Sequence, residues 1–393
     1  MSEWKVLTAE DFCDSVRDGT HDTPKQVECG YKLVTAKHIS NGQIDLSDAY
    51  LISESDYLKI NERSKVERWD VLMSMIGNGL GKSAVVKDNP QYAIKNLALF
   101  KIGDETRAKW LHYYLSSNKG QGFIYNSLQG SGQPFISLSL LRKFPIPVPD
   151  DEKIMRKVVA TLSRYDSLIE NYQKQIKLLE EAAQRLYKEW FVDLHFPGHE
   201  NTKIVDGVPE GWEKKRLSDI ANIIMGQSPK SEFYNTEGDG IPFHQGVGSY
   251  GYRFVVDNVY STSFTRIAEP NSILFSVRAP VGRLNITKNK IVIGRGLASI
   301  NHKMGYQSYL YYLLKEKFFK DNIIGNGAIF ASISKDELYN LVFFIPSDEI
   351  VKRYDAIANK IDKNIQYVDS QTRLLTEARD RLLPKLMGGE IAV

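Results

Sequence analysis

Apolar and aromatic residues recur at Ile154, Val158, Leu162, Tyr165, Ile169, Tyr172, Ile176, Leu179, Ala183, Leu186 and Trp190, and after the first turn the steps alternate four and three. A seam of that period, with no Pro or Gly inside it, predicts one long coiled-coil-like helix. Pro145-Ile146-Pro147-Val148-Pro149 closes a β-like region ahead of it, and Asp150, Asp151 and Glu152 suit the positive end of a helix. A second seam runs Tyr354, Ile357, Ile361, Ile365, Val368, Thr372, Leu375, Ala378, Leu382 and Leu386, behind Ile345-Pro346-Ser347-Asp348-Glu349, where Ser347 is placed to cap. Moved back by 196 positions, Ile361 falls on Tyr165, Ile365 on Ile169, Leu375 on Leu179 and Leu382 on Leu186. Asp362, Gln371, Glu377 and Arg381 likewise meet Asp166, Gln175, Glu181 and Arg185. Charge matches as well as pattern, with a single-residue slip near the prolines, so the helices read as a duplication. Each would hold about 40 residues and span roughly 60 Å. Neither hides its seam alone. Two separate dimerisation coils would cover the seams, but antiparallel packing on each other buries both within one chain.

The remaining blocks, 1–149 and 198–346, are β-rich, while 150–197 and 347–393 hold the helices. Runs such as Val71-Leu72-Met73-Ser74-Met75-Ile76, Ile273-Leu274-Phe275-Ser276-Val277 and Lys290-Ile291-Val292-Ile293 lie between Gly, Asn and Pro turns. Each block holds one short aromatic helix candidate, at 107–115 and 309–314, followed by a Gly/Asn/Gln loop and Ser-x-Ser at 137–139 and 332–334. Beyond that frame they diverge: Gly19-Thr20-His21-Asp22-Thr23-Pro24 has no close counterpart in Gly226-Gln227-Ser228-Pro229-Lys230. The expected architecture is α+β, with two mixed α/β, β-rich domains separated by two long antiparallel coiled-coil-like helices in a pseudo-twofold internal repeat.

Composition changes this picture little. Apolar residues at 42 %, charged at 25 % and aromatic at 11 % of 393 residues describe a water-soluble globular protein, and 51 Lys and Arg against 48 Asp and Glu neither demand nor exclude nucleic acid. No apolar run reaches the roughly 18 residues of a membrane span, and the start lacks a basic-then-apolar leader, so no membrane association and a cytoplasmic location are expected. Cys13 and Cys29 form no CxxC pair, and with His21 and His38 interleaved the gaps exceed metal-ligand spacing, so no metal site is expected.

Three catalytic resemblances fail on their own terms. Gly77-Asn78-Gly79-Leu80-Gly81-Lys82-Ser83 approaches a phosphate loop, but Ile76 stands where the first Gly belongs, and Ala84-Val85-Val86 predicts a strand where a helix should follow. A β-hairpin turn is the reading preferred over a nucleotide-binding enzyme. Asp88-Asn89-Pro90-Gln91-Tyr92 lacks the second proline of an amino-methyltransferase loop, and Asp150 with Glu152-Lys153 is explained by helix capping. Catalysis by this chain is not expected.

Several pieces, in their order, resemble the specificity subunits of Type I restriction–modification enzymes, and the resemblance covers nearly the whole chain. They are Val208-Pro209-Glu210-Gly211-Trp212 before Leu217-Ser218-Asp219-Ile220, Gly226-Gln227-Ser228-Pro229, Gly19-Thr20-His21, Phe144-Pro145-Ile146-Pro147-Val148-Pro149, and Leu186-Tyr187-Lys188-Glu189-Trp190-Phe191-Val192-Asp193. The resemblance implies that each β-rich block is a target-recognition domain reading one half of a bipartite site in double-stranded DNA, with the helices setting the spacer. It implies two modification (methyltransferase) subunits docked on the helices, restriction/translocase subunits that join them, and S-adenosylmethionine, ATP and Mg held by those partners, with no cofactor here. The second helix departs from the pattern: no Trp-Phe follows Pro384 as Trp190-Phe191 closes the first. A coiled-coil adaptor that never touches DNA is the alternative.

Base reading needs polar or basic side chains on exposed turns. In the first block the candidates are Thr20, His21, Thr23, Lys37, His38, Lys82, Ser83 and Gln133; in the second, Gln227, Ser228, Lys230, His244, Gln245, Tyr252, Arg278, Arg283, Arg295 and Asn326. Candidates for holding the partner subunits are Tyr165, Tyr172, Leu179, Leu186, Ile361, Val368, Leu375 and Leu382.

Overall fold

The computed structural model describes residues 4–130, 132–318 and 332–391. Both seams form single helices of 40 residues, Glu152–Phe191 and Asp348–Met387. The chain divides into two compact units, Met1–Asn171 with Gln371–Val393 and Tyr172–Ser370. Each unit thus joins one β-rich head to a part of each long helix.

In the first unit the strands are β1 (Trp4–Thr8), β2 (Ser15–Asp18), β3 (Tyr31–Val34), β4 (Val71–Ser74), β5 (Ser83–Val85), β6 (Tyr92–Ile94), β7 (Leu97–Lys101) and β8 (Pro145–Pro149). Four of them form an antiparallel sheet in the order β2-β7-β4-β5, β3 pairs parallel with β6, and β1 pairs with β8. The alternately proline-bearing β8 works because, among the described residues, β1 is its only strand partner, and missing donors there cost little. Helix α1 (Glu54–Ser64) covers β6, and α2 (Glu105–Ser116), capped by the Asp104 carboxylate 2.8 Å from the Arg107 amide, packs its buried Trp110 under the head, where the indole donates to the Pro147 carbonyl at 3.0 Å. Met155, Val158, Val159 and Leu162 of the first long helix enter the same core as Leu383, Leu386 and Met387 of the second. Arg379 reaches Asp166 at 2.9 Å, so within this unit the helices run antiparallel.

The second unit repeats the plan with β9 (Glu213–Arg216), β10 (Ala221–Met225), β11 (Ile241–His244), β12 (Ile267–Ala268), β13 (Ile273–Ser276), β14 (Leu284–Ile286), β15 (Ile291–Ile293), β16 (Leu297–His302) and β17 (Val342–Ile345). The antiparallel order β10-β16-β13-β14 copies β2-β7-β4-β5, the parallel pair β11 with β15 copies β3 with β6, and β9 pairs with β17 as β1 does with β8. Helix α3 (Gln307–Phe318) is buried along Ser308–Leu314. Ile176 clusters with Ile365 and Val368, and the fully buried Tyr354 donates to the Ala183 carbonyl at 3.2 Å among the rings of Tyr187, Trp190, Phe191 and Tyr309. The helices are antiparallel here too.

The partner-docking candidates pack largely against the chain's own residues. Tyr172, Leu179 and Val368 lie in the cluster around Ile176, Leu186 and Ile361 pack on the second head's core, and Leu382 packs on the first's. Tyr165 and Leu375 are half-buried on the same seams. Periodicity identifies a face that must be covered; the chain itself buries Val368 and covers the other seven in part.

Buried polar groups tie the heads down. His112 of α2 accepts or donates at 2.9 Å to Ser83 of β5, and burial pushes its imidazole down to about 4 from 6.5. The unfolded chain therefore takes the proton first: the stability is complete above pH 6.5 and is lost as pH falls toward 4. We expect wild type to lose about 2 kcal/mol more than His112→Gln between pH 7 and 5, read by urea unfolding at the two pH values.

Candidate nucleic-acid interface

At the end of β2 the amide of Gly19 donates to the Leu97 carbonyl at 2.9 Å and that of Thr20 to the Ile94 carbonyl at 3.0 Å. A Cβ on Gly19 would stand 2.4 Å from the Ile94 oxygen, so only glycine allows this crossing. Asn96 returns its amide to the Thr20 carbonyl at 3.1 Å, and Lys95 its own to Val34 at 2.9 Å, which sets the turn after β3 alongside. The β4–β5 hairpin turn at 77–79 packs beside the turn at 36–38, and Ile136 donates to Met75 at 3.0 Å, adding the segment that holds Gln133. Thr20, His21, Thr23, Lys37, Lys82 and Gln133 thus ride on one connected set of turns, and all but the half-buried Thr20 are exposed. The phosphate-loop-like segment forms this hairpin, running into β5 as a strand.

His21 is held at both ring nitrogens, Nδ1 2.8 Å from the Asn96 side-chain oxygen and Nε2 3.0 Å from Asp18. Arg63 of α1 also pairs with Asp18, and Lys95 donates to the Thr23 hydroxyl.

The second head builds the same junction. Gly226 donates to Leu297 at 2.9 Å, Gln227 to Ile293 at 2.9 Å, Gly294 to His244 at 2.8 Å, Gly296 to Gln245 at 3.1 Å and Val277 to Gly296 at 2.9 Å. A Cβ on Gly226 would meet the Gly294 oxygen at 2.2 Å. Gly19-Thr20 and Gly226-Gln227 are therefore backbone counterparts, which overturns the expectation that these segments do not correspond. The Arg295 amide donates to the Ser228 hydroxyl at 3.2 Å. Gln227, Lys230, Gln245, Arg278, Arg283 and Arg295 are exposed on these turns, with Lys230 3.9 Å from Glu232.

Three base-reading candidates are buried, and a fourth stands beside the scaffold. His38 is 1 % exposed; its Nδ1 accepts the Thr35 amide at 2.8 Å, Nε2 lies 3.2 Å from Asp48, and burial holds the ring below its ordinary pKa. His244 is as buried, between Ser249 at 2.7 Å and Asp257 at 2.9 Å. Ser83 is spent on His112. Tyr252 is exposed but stands beside Arg253, with Glu180 of the long helix next to its hydroxyl, on the scaffold side of the head. Asn326 lies outside the described residues.

The junctions also contain groups the sequence did not single out: Asp18, Arg63, Lys95 and Asn96 in the first head, Phe264, Thr265 and Arg266 in the second. Thr265 donates to the Gln227 carbonyl, and the Arg266 carbonyl accepts the Ile293 amide at 2.9 Å. No local signal marks them, because their partners are distant in sequence. Turns dense in amide, hydroxyl and imidazole groups, ringed by cations, offer donors and acceptors for base edges and charge for phosphates. Among the described residues no group of three or more His, Cys, Asp or Glu side chains could hold a metal ion, and no helix is long and apolar enough to cross a membrane.

A family model described as the Type I restriction modification DNA specificity domain matches residues 1–181 and again residues 209–380. The specificity subunit of the type I restriction enzyme MjaIX of Methanocaldococcus jannaschii is 28 % identical over 306 residues, covering 74 % of this chain and 70 % of that protein. That of HindI from Haemophilus influenzae is 22 % identical over the whole of both chains. The crystal structure of a Type I restriction–modification S subunit from M. genitalium covers 98 % of this chain and 96 % of its own at 17 % identity, with a TM-score of 0.57, and shows the same fold. The chain belongs to the Type I restriction–modification DNA specificity family and carries its domain twice.

Proposed function

We propose that each head reads one half of a bipartite site in double-stranded DNA, and that the chain contributes recognition while its partners supply catalysis. The observation that carries this reading is the junction built twice on one backbone plan with different side chains: Thr20, His21 and Asn96 in one head, Gln227, Ser228 and Arg295 in the other. A shared frame with unshared contents is what two half-sites of different sequence require. S-adenosylmethionine, ATP and Mg then belong to modification and restriction/translocase subunits in the cytoplasm.

With the seams filled, partner docking falls to the outward faces of the long helices. Leu178, 64 % exposed, stands with Lys177, Glu181 and Arg185, and 196 positions on, Leu374, 49 % exposed, stands with Arg373, Glu377 and Arg381. A duplicated patch fits two copies of one modification subunit.

The test is retardation of duplexes from a random-sequence pool by the full chain with its modification partner. A two-part motif should emerge, and raising salt from about 50 to 200 mM should weaken binding by about a thousandfold if six or more phosphates are contacted. Binding that is absent or indifferent to salt would refute DNA reading. Exchanging residues 1–149 for the matching block of another family member should rewrite one half-site and leave the other; a change in both would break the two-head assignment.

A further inference from the structure

The two heads differ at one edge of the shared junction. In the first, the free side of β6 is covered by α1, which delivers Arg63 to Asp18 and the Gly19 carbonyl. In the second, the matching side of β15 is extended by β12, and the residues leading into that strand are Phe264, Thr265 and Arg266. Phe264 is 56 % exposed. It is not held out by loose chain: the Ser261 hydroxyl takes the Ser263 amide at 3.1 Å on one side, and Thr265 is anchored to Gln227 on the other. This backbone, bonded to Gln227 through Thr265 and to Ile293 through the Arg266 carbonyl, keeps a phenyl ring in water on the junction whose turns also carry the exposed Lys230, Arg266 and Arg295. The exposed cations on the same junction match a polyanion, which makes nucleic acid the occupant argued for the ring.

We infer that Phe264 is a specificity-determining residue of the second head that makes an apolar contact with the bases of its half-site. Two base features offer such a surface: the 5-methyl group of thymine in the major groove, and the face of a base step opened by an inserted side chain. In the first head the residue brought to this edge is Arg63, whose guanidinium binds Asp18 and the Gly19 carbonyl, so the two heads bring different chemistry to the same edge of the junction. The inference rests on the second head reading duplex DNA.

Full-length wild type, Phe264→Ala and Phe264→Leu, each assembled with the modification partner, would be passed over a random duplex pool, and their Kd for the duplex that wild type selects would be measured. Phe264→Ala should bind that duplex about tenfold more weakly and lose base preference at one position of one half-site, while the Leu variant keeps most of both. Deoxyuridine in place of thymidine at that position should weaken wild type but not Phe264→Ala if the methyl is read. Fluorescence of 2-aminopurine placed there should rise with wild type but not Phe264→Ala if the step is opened. An unchanged motif and affinity for Phe264→Ala overturns the inference, as does a loss spread evenly over all sequences with neither base probe responding. An unchanged melting temperature of the variant excludes misfolding as the cause. Failure of wild type to select any motif would refute DNA reading itself and is seen without a variant.

Discussion

Arg253→Met should lower the melting temperature of the second unit by about 10 °C. Arg253 is 2 % exposed and leaves the head to enter the helical seam, where it donates to Glu180 at 3.1 Å and to Asp362 at 2.6 Å with its guanidinium 3.7 Å from the centre of the Tyr311 ring. Met fills much of the same space, so the effect is electrostatic: two carboxylates lose a buried cation. Removing one member of a buried pair costs about 3–5 kcal/mol, because the other charge stays desolvated. Lys315, 3.7 Å from Glu180, offsets part of this and sets the expectation toward the lower end. A unit of about 200 residues shifts by about 2–4 °C per kcal/mol, hence the figure given. The triple variant Arg253→Met, Glu180→Gln, Asp362→Asn should recover part of the loss, since both carboxylates are then neutral and only Lys315 gives up its partner. Calorimetry on the three proteins checks this; a triple variant no more stable than the single one would show that packing around Tyr311, not charge, was lost. In the first unit the cation opposite Asp166 comes from the long helix itself, and Arg379 is partly open to water, so Arg379→Met should cost only about 1 kcal/mol.

The contrast between those arginines marks where sequence reading stops. The Asp166 and Asp362 match was legible from the 196-residue repeat, as were both long helices, because a 40-residue seam integrates a weak signal over about eleven turns. What faces each carboxylate was not, because Arg253 and Arg379 occupy unrelated positions in the chain and meet equivalent aspartates only after folding. The heads show the same limit. Strands of two to six residues gave away their existence but not the order β2-β7-β4-β5 and its copy. The equivalence of Gly19 and Gly226 was hidden because what they share is a carbonyl crossing their Cα, a constraint that leaves every neighbouring side chain free to differ. His38 and His244 read as surface groups because polar residues near turns usually are; both are buried, His38 accepting the Thr35 amide and His244 held between Ser249 and Asp257.

Leu178→Glu with Leu374→Glu should abolish stable association with the modification subunit while leaving the chain folded. Neither leucine belongs to a buried cluster, so neither change opens a cavity or buries a charge, and the melting temperature should move by less than about 2 °C. In a docked interface the same leucines would be desolvated anchors flanked by charges that orient the partner: Lys177, Glu181 and Arg185 around one, Arg373, Glu377 and Arg381 around the other, the last two linked at 2.5 Å. Truncating an anchor costs about 2 kcal/mol or more, and forcing a carboxylate into its pocket costs further, so each site should weaken at least about thirtyfold. The single variants are the sharper test. If each patch holds one copy of the same subunit, Leu178→Glu alone and Leu374→Glu alone should each leave one subunit bound, with a complex lighter than wild type by one subunit in native mass spectrometry. Methylation of both strands of a bipartite site should fail in either single variant, because one half-site then has no methyltransferase above it. A single variant that retains two subunits would show that its patch carries no docking energy, and loss of both from either change would show that the two sites are coupled rather than duplicated.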